Sequence, residues 1–160
     1  MLNKSQLLKL LKDKTRQDLE SALTAARNTY DVATHEDNKA ENKYDTRGLE
    51  ASYLAGAQAK RAADIKLTLD MFENLQLREF KEDSKIALTA LIEIQHQDKS
   101  QLVFLLPRGG GLSVQIEGQG VQVITPESPL GKALIGRECG DVVEVPTGAI
   151  LKEYEINQLS

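Results

Sequence analysis

Glycine and proline are distributed unevenly along this 160-residue chain, and that distribution constrains the fold more than any other feature of the sequence. All four prolines and nine of the eleven glycines follow residue 106, whereas only Gly48 and Gly56 interrupt the first 106 residues. A long segment nearly free of both residues and rich in Ala, Leu, Lys and Glu favours helix. The second part, punctuated by Gly and Pro, favours short strands and turns. The sequence therefore predicts two regions of different structure.

Two narrow apolar stripes run through the first region, and both repeat at steps of three or four residues. They comprise Leu8, Leu11, Thr15, Leu19, Ala22, Ala26, Tyr30 and Ala33, and then Ala51, Ala55, Gln58, Ala62, Ile65, Leu69 and Phe72. Such stripes on otherwise polar helices are typical of a two-stranded coiled coil. We therefore predict an antiparallel coiled-coil hairpin over residues 1–78, with its acidic tip at residues 35–45.

The second region predicts a small α+β domain over residues 79–160, with one short helix on a mainly antiparallel sheet. The helix lies in "SPLGKALIG", where Ser128 is the expected N-cap, Pro129 the first helical residue and Gly136 the residue just past the end. The segment "PRGGGL", residues 107–112, is interpreted as a hairpin turn. A polar turn is predicted at Asp98-Lys99.

Composition excludes several classes of function. The net charge of −4 gives no general attraction to nucleic acid. Cys139 is the single cysteine, so the chain forms no internal disulfide and has no paired-cysteine metal site, which fits a reducing cytoplasm. The first residues alternate Leu with Lys and contain no long apolar block, so we expect neither a secretory signal nor a membrane span. The absence of Trp argues against an aromatic-lined ligand pocket.

One stretch of the second region resembles a known family. Residues 124–156, "ITPESPLGKALIGRECGDVVEVPTGAILKEYEI", resemble the C-terminal domain of the Gre transcript-cleavage factors. The residues that fit the family pattern are Ser128, Pro129, Leu130, Ala133, Leu134, Ile135, Gly136, Gly140, Asp141, Val143 and Val145. The order of a helical hairpin and then an FKBP-like α+β domain also resembles the family, and "ENKY" at residues 41–44 is similar to its tip region.

The resemblance implies a partner and a mechanism. Gre factors are accessory proteins that bind bacterial RNA polymerase and insert the hairpin into its secondary channel. Tip carboxylates there help to hold a Mg²⁺ ion of the polymerase beside the 3′ end of the nascent RNA. The residues that match these roles are Asp37 and Glu41, with Asn38 as a further metal ligand. By the same resemblance, the globular domain docks on the polymerase, and we assign that contact to Ser128, Pro129 and Leu130. The expectation is a monomer with no cofactor of its own and no membrane contact.

The tip departs from the family pattern, which leaves alternatives open. The family has Asp, then two further residues, then Glu-Asn, whereas this chain has Asn38 at the Asp position, three residues before Glu41, and Asp37 one residue earlier. A factor that occupies the channel without promoting cleavage is therefore one alternative. In a purely structural alternative, Asn38 and Glu41 form a capping box that opens the second helix. A coiled-coil holdase chaperone and a prolyl isomerase are two further alternatives, and fold alone decides neither.

Overall fold

The computed structural model of the chain describes residues 2–35, 46–81 and 83–160. Two long helices come first, α1 (Lys4–Thr34) and α2 (Arg47–Asn74). Asn3 caps α1, because its side-chain oxygen accepts hydrogen bonds from the amides of Ser5 and Gln6 at 2.9 and 3.2 Å. An Asn at this position satisfies amides that have no partner inside the helix.

The chain divides into two compact units. The helical unit comprises Lys12–Glu73, and the sheet unit comprises Met1–Leu11 together with Asn74–Ser160. Within the helical unit, Arg16 Nη2 lies 2.9 Å from Glu73 Oε1. This ion pair joins the beginning of the helical unit to its end, so α1 and α2 are antiparallel, as the stripes predict. Every residue of the two stripes is buried or half-buried except Tyr30, whose exposed fraction is 62%.

Six strands and one short helix follow. They are β1 (Leu91–His96), β2 (Lys99–Leu105), β3 (Ser113–Ile116), β4 (Gln119–Ile124), α3 (Pro129–Leu134), β5 (Val142–Thr147) and β6 (Ile150–Leu159). The strands form one sheet in the order β3-β4-β2-β1-β6-β5. Neighbouring strands are antiparallel except β2 and β4, which are parallel. The α+β class predicted from the sequence is confirmed, and the sheet is mixed.

One turn prediction is wrong, and a second is displaced by one residue. Residues 107–112 do not form a hairpin turn, because β4 lies between β2 and β3 in the sheet. The segment instead links two strands that are not neighbours. The β1–β2 turn consists of Gln97 and Asp98, because His96 pairs with Lys99 across the two strands. Gln97 adopts a positive φ of 53°, which an extended strand does not use.

The core of the sheet unit lies between the sheet and α3. The side chains that form it belong to successive strands and to the helix, and Leu130 packs against them from the first turn of α3. Its fully buried members include Ile92, Ile94, Leu105, Leu134 and Ile156. Val143 and Val145 alternate along β5 with exposed residues, so one face of β5 enters the core and the other meets solvent. No helix in the described part of the chain combines the length and the apolar content needed to cross a bilayer.

Candidate functional sites

The acidic tip lies outside the described residues. Asp37, Asn38 and Glu41 fall between Thr34, the last residue of α1, and Arg47, the first residue of α2. Their proposed role at a metal ion therefore stays a prediction. Among residues 2–35, 46–81 and 83–160, no group of three or more His, Cys, Asp or Glu side chains is arranged to hold a metal ion. The described residues thus offer no metal site that competes with the tip.

The start of α2 differs from the capping-box alternative. That alternative has Asn38 open the second helix, whereas α2 begins at Arg47. The carbonyl of Thr46 accepts a hydrogen bond from the amide of Glu50 at 2.9 Å, and the Thr46 hydroxyl donates to Glu50 Oε1 at 3.0 Å. Glu50 also places a negative charge in the first turn, where the helix dipole favours it. Thr46 and Glu50 therefore make the contacts at the start of α2, whereas Asn38 and Glu41 of the capping-box alternative lie outside the described residues.

Ser128 is the N-cap residue of α3. Its backbone is extended, with φ −66° and ψ 151°, and its hydroxyl accepts a hydrogen bond from the amide of Gly131 at 3.0 Å. The same hydroxyl donates to the carbonyl of Thr125 at 2.7 Å. Pro129 occupies the first helical position, where the absence of an amide hydrogen costs nothing. The cap predicted from "SPLGKALIG" is therefore the one the structure contains.

Gly131 imposes a steric constraint on this segment, which the sequence patterns did not reveal. A Cβ added at this position would lie 2.0 Å from the carbonyl oxygen of Thr125 and 3.0 Å from the Ser128 hydroxyl. Only glycine allows the first turn of α3 to approach the preceding loop this closely. The position is variable in the pattern that suggested the resemblance, so no sequence signal identified it. The glycine holds the loop and the helix in one fixed arrangement.

The surface around α3 is partly apolar. Of the three residues assigned to partner contact, Pro129 is exposed, whereas Leu130 is half-buried against the core and the Ser128 hydroxyl is used internally. Ile135, just past the end of the helix, has an exposed fraction of 43%, and Lys132 is also exposed. A partner at this surface would therefore meet Pro129, Lys132 and Ile135, of which sequence reasoning assigned only Pro129.

The segment between α2 and β1 contains a strained, buried residue. Thr89 has a φ of 71° and an exposed fraction of 2%, and this backbone conformation is rare for a β-branched residue. Its hydroxyl accepts a hydrogen bond from the amide of Arg78 at 2.9 Å. Lys4, at the beginning of α1, donates from Nζ to the carbonyls of Arg78 and Thr89 and lies 4.9 Å from the centre of the Phe80 ring. These contacts hold the conformation of Thr89 in the sheet unit.

These surroundings change the pKa of Lys4. Burial lowers the pKa of its ammonium group below the ordinary value of 10.5, and the negative charge of Glu79 opposes that effect. Burial therefore makes the charged form of Lys4 less favourable here than it is in water, although the two carbonyls and the Phe80 ring partly compensate for lost hydration.

The helical unit contains an apolar groove. A cavity of about 490 Å³ is lined by Leu23, Ala26 and Tyr30 of α1 and by Ala55 and Gly56 of α2, among others. A Cβ added at Gly56 would meet nothing within 4 Å, so the groove is open above this glycine. Several large apolar side chains in this unit are more than half exposed, namely Tyr30, Val32, Leu49, Tyr53, Leu54 and Leu67. The polar tip segment is therefore flanked by helices with exposed apolar surface.

The C-terminal part of the chain is similar to a known protein family. Residues 112–160 match the model of the C-terminal domain of the transcription elongation factors GreA and GreB. The transcription elongation factor GreA of Pelagibacter ubique (strain HTCC1062) is 24% identical over 154 residues, which cover 93% of this chain and 85% of the relative.

Two solved structures are also similar. GreA factor homolog 1 (Gfh1) of Thermus thermophilus is 21% identical with a TM-score of 0.38, and the match covers 93% of this chain and 94% of that one. Gfh1 of Thermus aquaticus is 22% identical with a TM-score of 0.38, covering 97% and 92%. The family match and the curated relative confirm the resemblance seen in residues 124–156.

Proposed function

We propose that this chain is a GreA/GreB-like transcription elongation factor, which binds bacterial RNA polymerase and acts through the active site of the polymerase rather than as an enzyme itself. The observation that carries the proposal is the family match over residues 112–160, which include all of α3 and the edge of the sheet beside it. The partner, the mode of binding and the effect on RNA are each part of the proposal. The protein acts as a monomer in the cytoplasm, where transcription takes place.

The C-terminal part, residues 79–160, docks on the polymerase in this proposal, and the surface around α3 makes the contact. Ser128 and Gly131 support this role indirectly, because the cap and the close approach to Thr125 fix the helix in place. Pro129 and Ile135 then present apolar surface, and Lys132 presents a positive charge. A few well-packed side chains near the centre of an interface contribute most of its affinity, while rim charges mainly set the rate of association.

The hairpin, residues 1–78, carries the tip acids to the active site of the polymerase. Asp37 and Glu41 supply carboxylate oxygens and Asn38 an amide oxygen, and oxygen donors of this kind are what Mg²⁺ prefers. When bound there, a metal ion can activate the water that cleaves a phosphodiester bond. The contribution of the chain is to hold these oxygens close to the metal of the polymerase and so to act on the 3′ end of the nascent RNA.

The test is a transcript-cleavage assay on backtracked elongation complexes with the purified full-length protein. We expect Asp37→Ala and Glu41→Ala each to reduce cleavage at least about tenfold while binding to the polymerase is unchanged. Glu20→Ala is the matched control, because Glu20 is an exposed acid of α1 that lies far from the tip in the sequence. Asn38→Asp restores the family spacing to Glu41, so this variant should cleave faster than the native protein. Equal cleavage by all four variants would contradict the role of the tip.

The presence of Asn38 where the family has Asp supports a more limited function, in which the protein occupies the channel of the polymerase without stimulating cleavage. A neutral amide holds Mg²⁺ less strongly than a carboxylate does, so the native protein can occupy the secondary channel without stimulating cleavage. In that case the protein slows elongation and competes with a cleavage-competent Gre factor, while Asn38→Asp alone produces cleavage. Competition in the absence of native cleavage therefore identifies a channel competitor. Cleavage by the native protein identifies a cleavage factor.

A second candidate function is supported by the exposed apolar side chains of the helical unit. Tyr53 and Tyr30 have exposed fractions of 73% and 62%, and such surface can bind unfolded protein chains. A holdase would suppress the aggregation of a heat-denatured test protein in the absence of polymerase, and Tyr53→Ser would weaken that effect. If the native protein binds RNA polymerase and does not suppress aggregation, the chaperone function is wrong.

A further inference from the structure

The side of the sheet that faces away from α3 has an uncovered patch near its β5 edge. We call it the outer face and define it by Val142, Glu144, Leu151, Glu153 and Glu155. Strand register places these side chains together, because Val142 pairs with Glu155, Glu144 with Glu153 and Pro146 with Leu151 across β5 and β6. Their neighbours along the strands, including Val143, Val145 and Ile156, enter the core on the α3 side. The outer face and the α3 surface therefore lie on opposite sides of the same strands.

The outer face is concave and partly apolar. A cavity of about 520 Å³ is lined by the five residues of the outer face together with Gln95, His96 and Gln97. Val142 and Leu151 have exposed fractions of 59% and 61%, although both are large aliphatic residues in regular strands. Ile150, at the adjoining turn, is 67% exposed. Aliphatic side chains exposed together around a concavity are characteristic of a surface that binds a partner.

The charges of the outer face restrict what that partner is. Glu144 and Glu153 are directly opposite each other on neighbouring strands, and Glu155 is the next outward residue on β6. Like charges directly opposite in a sheet are destabilising. Within residues 2–35, 46–81 and 83–160, none of these three carboxylates forms an ion pair. His96 also lines the cavity; its Nδ1 lies 2.7 Å from the main-chain carbonyl oxygen of Glu153, and its ring lies 5.3 Å from the ring of Tyr154, which packs against the core.

We propose that the outer face is a second docking surface, which takes a segment of a protein partner carrying lysine or arginine next to aliphatic residues. A cationic head group placed between Glu144 and Glu153 removes the repulsion of the pair, and its alkyl stem lies along Leu151. The aliphatic neighbours of the cation contact Val142. The three carboxylates repel phosphate groups, so nucleic acid does not fit this face.

This surface is independent of the contact proposed for α3. A protein held on RNA polymerase by α3 would keep the outer face accessible, because the two surfaces are on opposite sides of β5 and β6. The second partner is a separate basic protein, which the outer face can bind while the α3 surface contacts the polymerase.

The test uses a fluorescein-labelled peptide of alternating lysine and leucine as the probe and fluorescence anisotropy as the readout, with the full-length protein at low ionic strength. The double variant Glu144→Gln/Glu153→Gln should bind the peptide about fivefold more weakly, because two partly exposed ion pairs contribute modestly. The control Glu117→Gln/Glu138→Gln changes the net charge equally at exposed sites outside this face, and it should bind as the native protein does. Leu151→Ser should weaken binding several-fold without altering the salt dependence.

Stability separates lost binding from lost folding. Removing the like-charge pair should raise the midpoint of thermal unfolding of Glu144→Gln/Glu153→Gln or leave it unchanged, so weaker binding with undiminished stability supports the docking surface. Equal loss of binding in the control pair, or no loss in either pair, overturns the proposal. Equal affinity for a peptide of alternating glutamate and leucine also overturns it. If sedimentation shows a dimer that Leu151→Ser dissociates, the face binds a second copy and the proposed basic partner is wrong.

Discussion

Replacing Gly131 by alanine tests the account of α3 most sharply, because two opposing effects act at this position. In an exposed helix, alanine is favoured over glycine by about 0.5–1 kcal/mol. Here, however, the added Cβ would lie 2.0 Å from the carbonyl oxygen of Thr125 and 2.8 Å from its carbonyl carbon. Both of these atoms are backbone, so no rotation of a flexible side chain relieves the clash. We therefore expect the clash to exceed the gain in helix propensity.

The magnitude follows from these two terms. Overpacking in a well-packed region costs about 1–3 kcal/mol, and a contact with rigid backbone belongs at the upper end of that range. After the propensity gain is subtracted, Gly131→Ala should lower the free energy of unfolding by about 2 kcal/mol or more. For a unit of roughly 100 residues, that loss lowers the midpoint of thermal unfolding by about 10 °C. Displacement of the loop would also break the hydrogen bond from the Gly131 amide to Ser128.

The assay is thermal and urea unfolding followed by circular dichroism, with Gly56→Ala as the matched control. Gly56 is also helical, but an added Cβ there meets nothing within 4 Å. The same substitution should therefore stabilise the helical unit by about 0.5–1 kcal/mol. Opposite signs for the two variants support the geometry of α3. A loss of less than 0.5 kcal/mol in Gly131→Ala would refute the close approach to Thr125.

Two further predictions concern the helix cap at Ser128 and the partly buried ammonium group of Lys4. Ser128→Ala should lower the free energy of unfolding by about 1 kcal/mol, the usual cost of losing an N-cap, and Ser128→Asp should restore most of it; urea unfolding measures both. The pKa of Lys4 is lowered by burial, so between that lowered pKa and 10.5 the unfolded chain binds more protons than the folded chain. The contribution of Lys4 to stability therefore rises with pH in this window and is lost as pH falls through the folded pKa. Lys4→Met should flatten the alkaline part of the stability–pH curve, and an unchanged curve would contradict the assignment.

Local patterns in the sequence predicted the three helices and the limits of α3. The steps of three and four residues identified the buried side of α1 and α2, since side chains at that spacing share one face whatever they pack against. Tyr30 is the exception, because the small residues Ala55 and Gly56 lie opposite it and leave a groove rather than a closed contact. Ser128, Pro129 and Gly136 fixed the limits of α3 because capping depends only on adjacent residues.

Features that depend on distant residues were not predictable. The parallel pairing of β2 with β4 depends on the arrangement of the whole sheet. The turn-forming residues of "PRGGGL" are compatible both with a hairpin and with a link between separated strands, so the local sequence does not distinguish the two. The strained Thr89 depends on Lys4, a residue far away in the sequence. The requirement for glycine at position 131 depends on the carbonyl of Thr125. The site assignments at Asp37, Asn38 and Glu41 stay predictions, because they come from the resemblance and lie outside the described residues.

The proposal that this protein binds bacterial RNA polymerase is tested by measuring the affinity of the full-length protein for that enzyme. Labelled protein is titrated with the core enzyme, the GreA relative serves as positive control, and Ile135→Ser alters the exposed α3 surface without entering the core. We expect the native protein to bind the polymerase, to compete with GreA and to bind at least about tenfold more weakly as Ile135→Ser. Failure of the native protein to bind under conditions in which GreA binds would show that the proposed function is wrong.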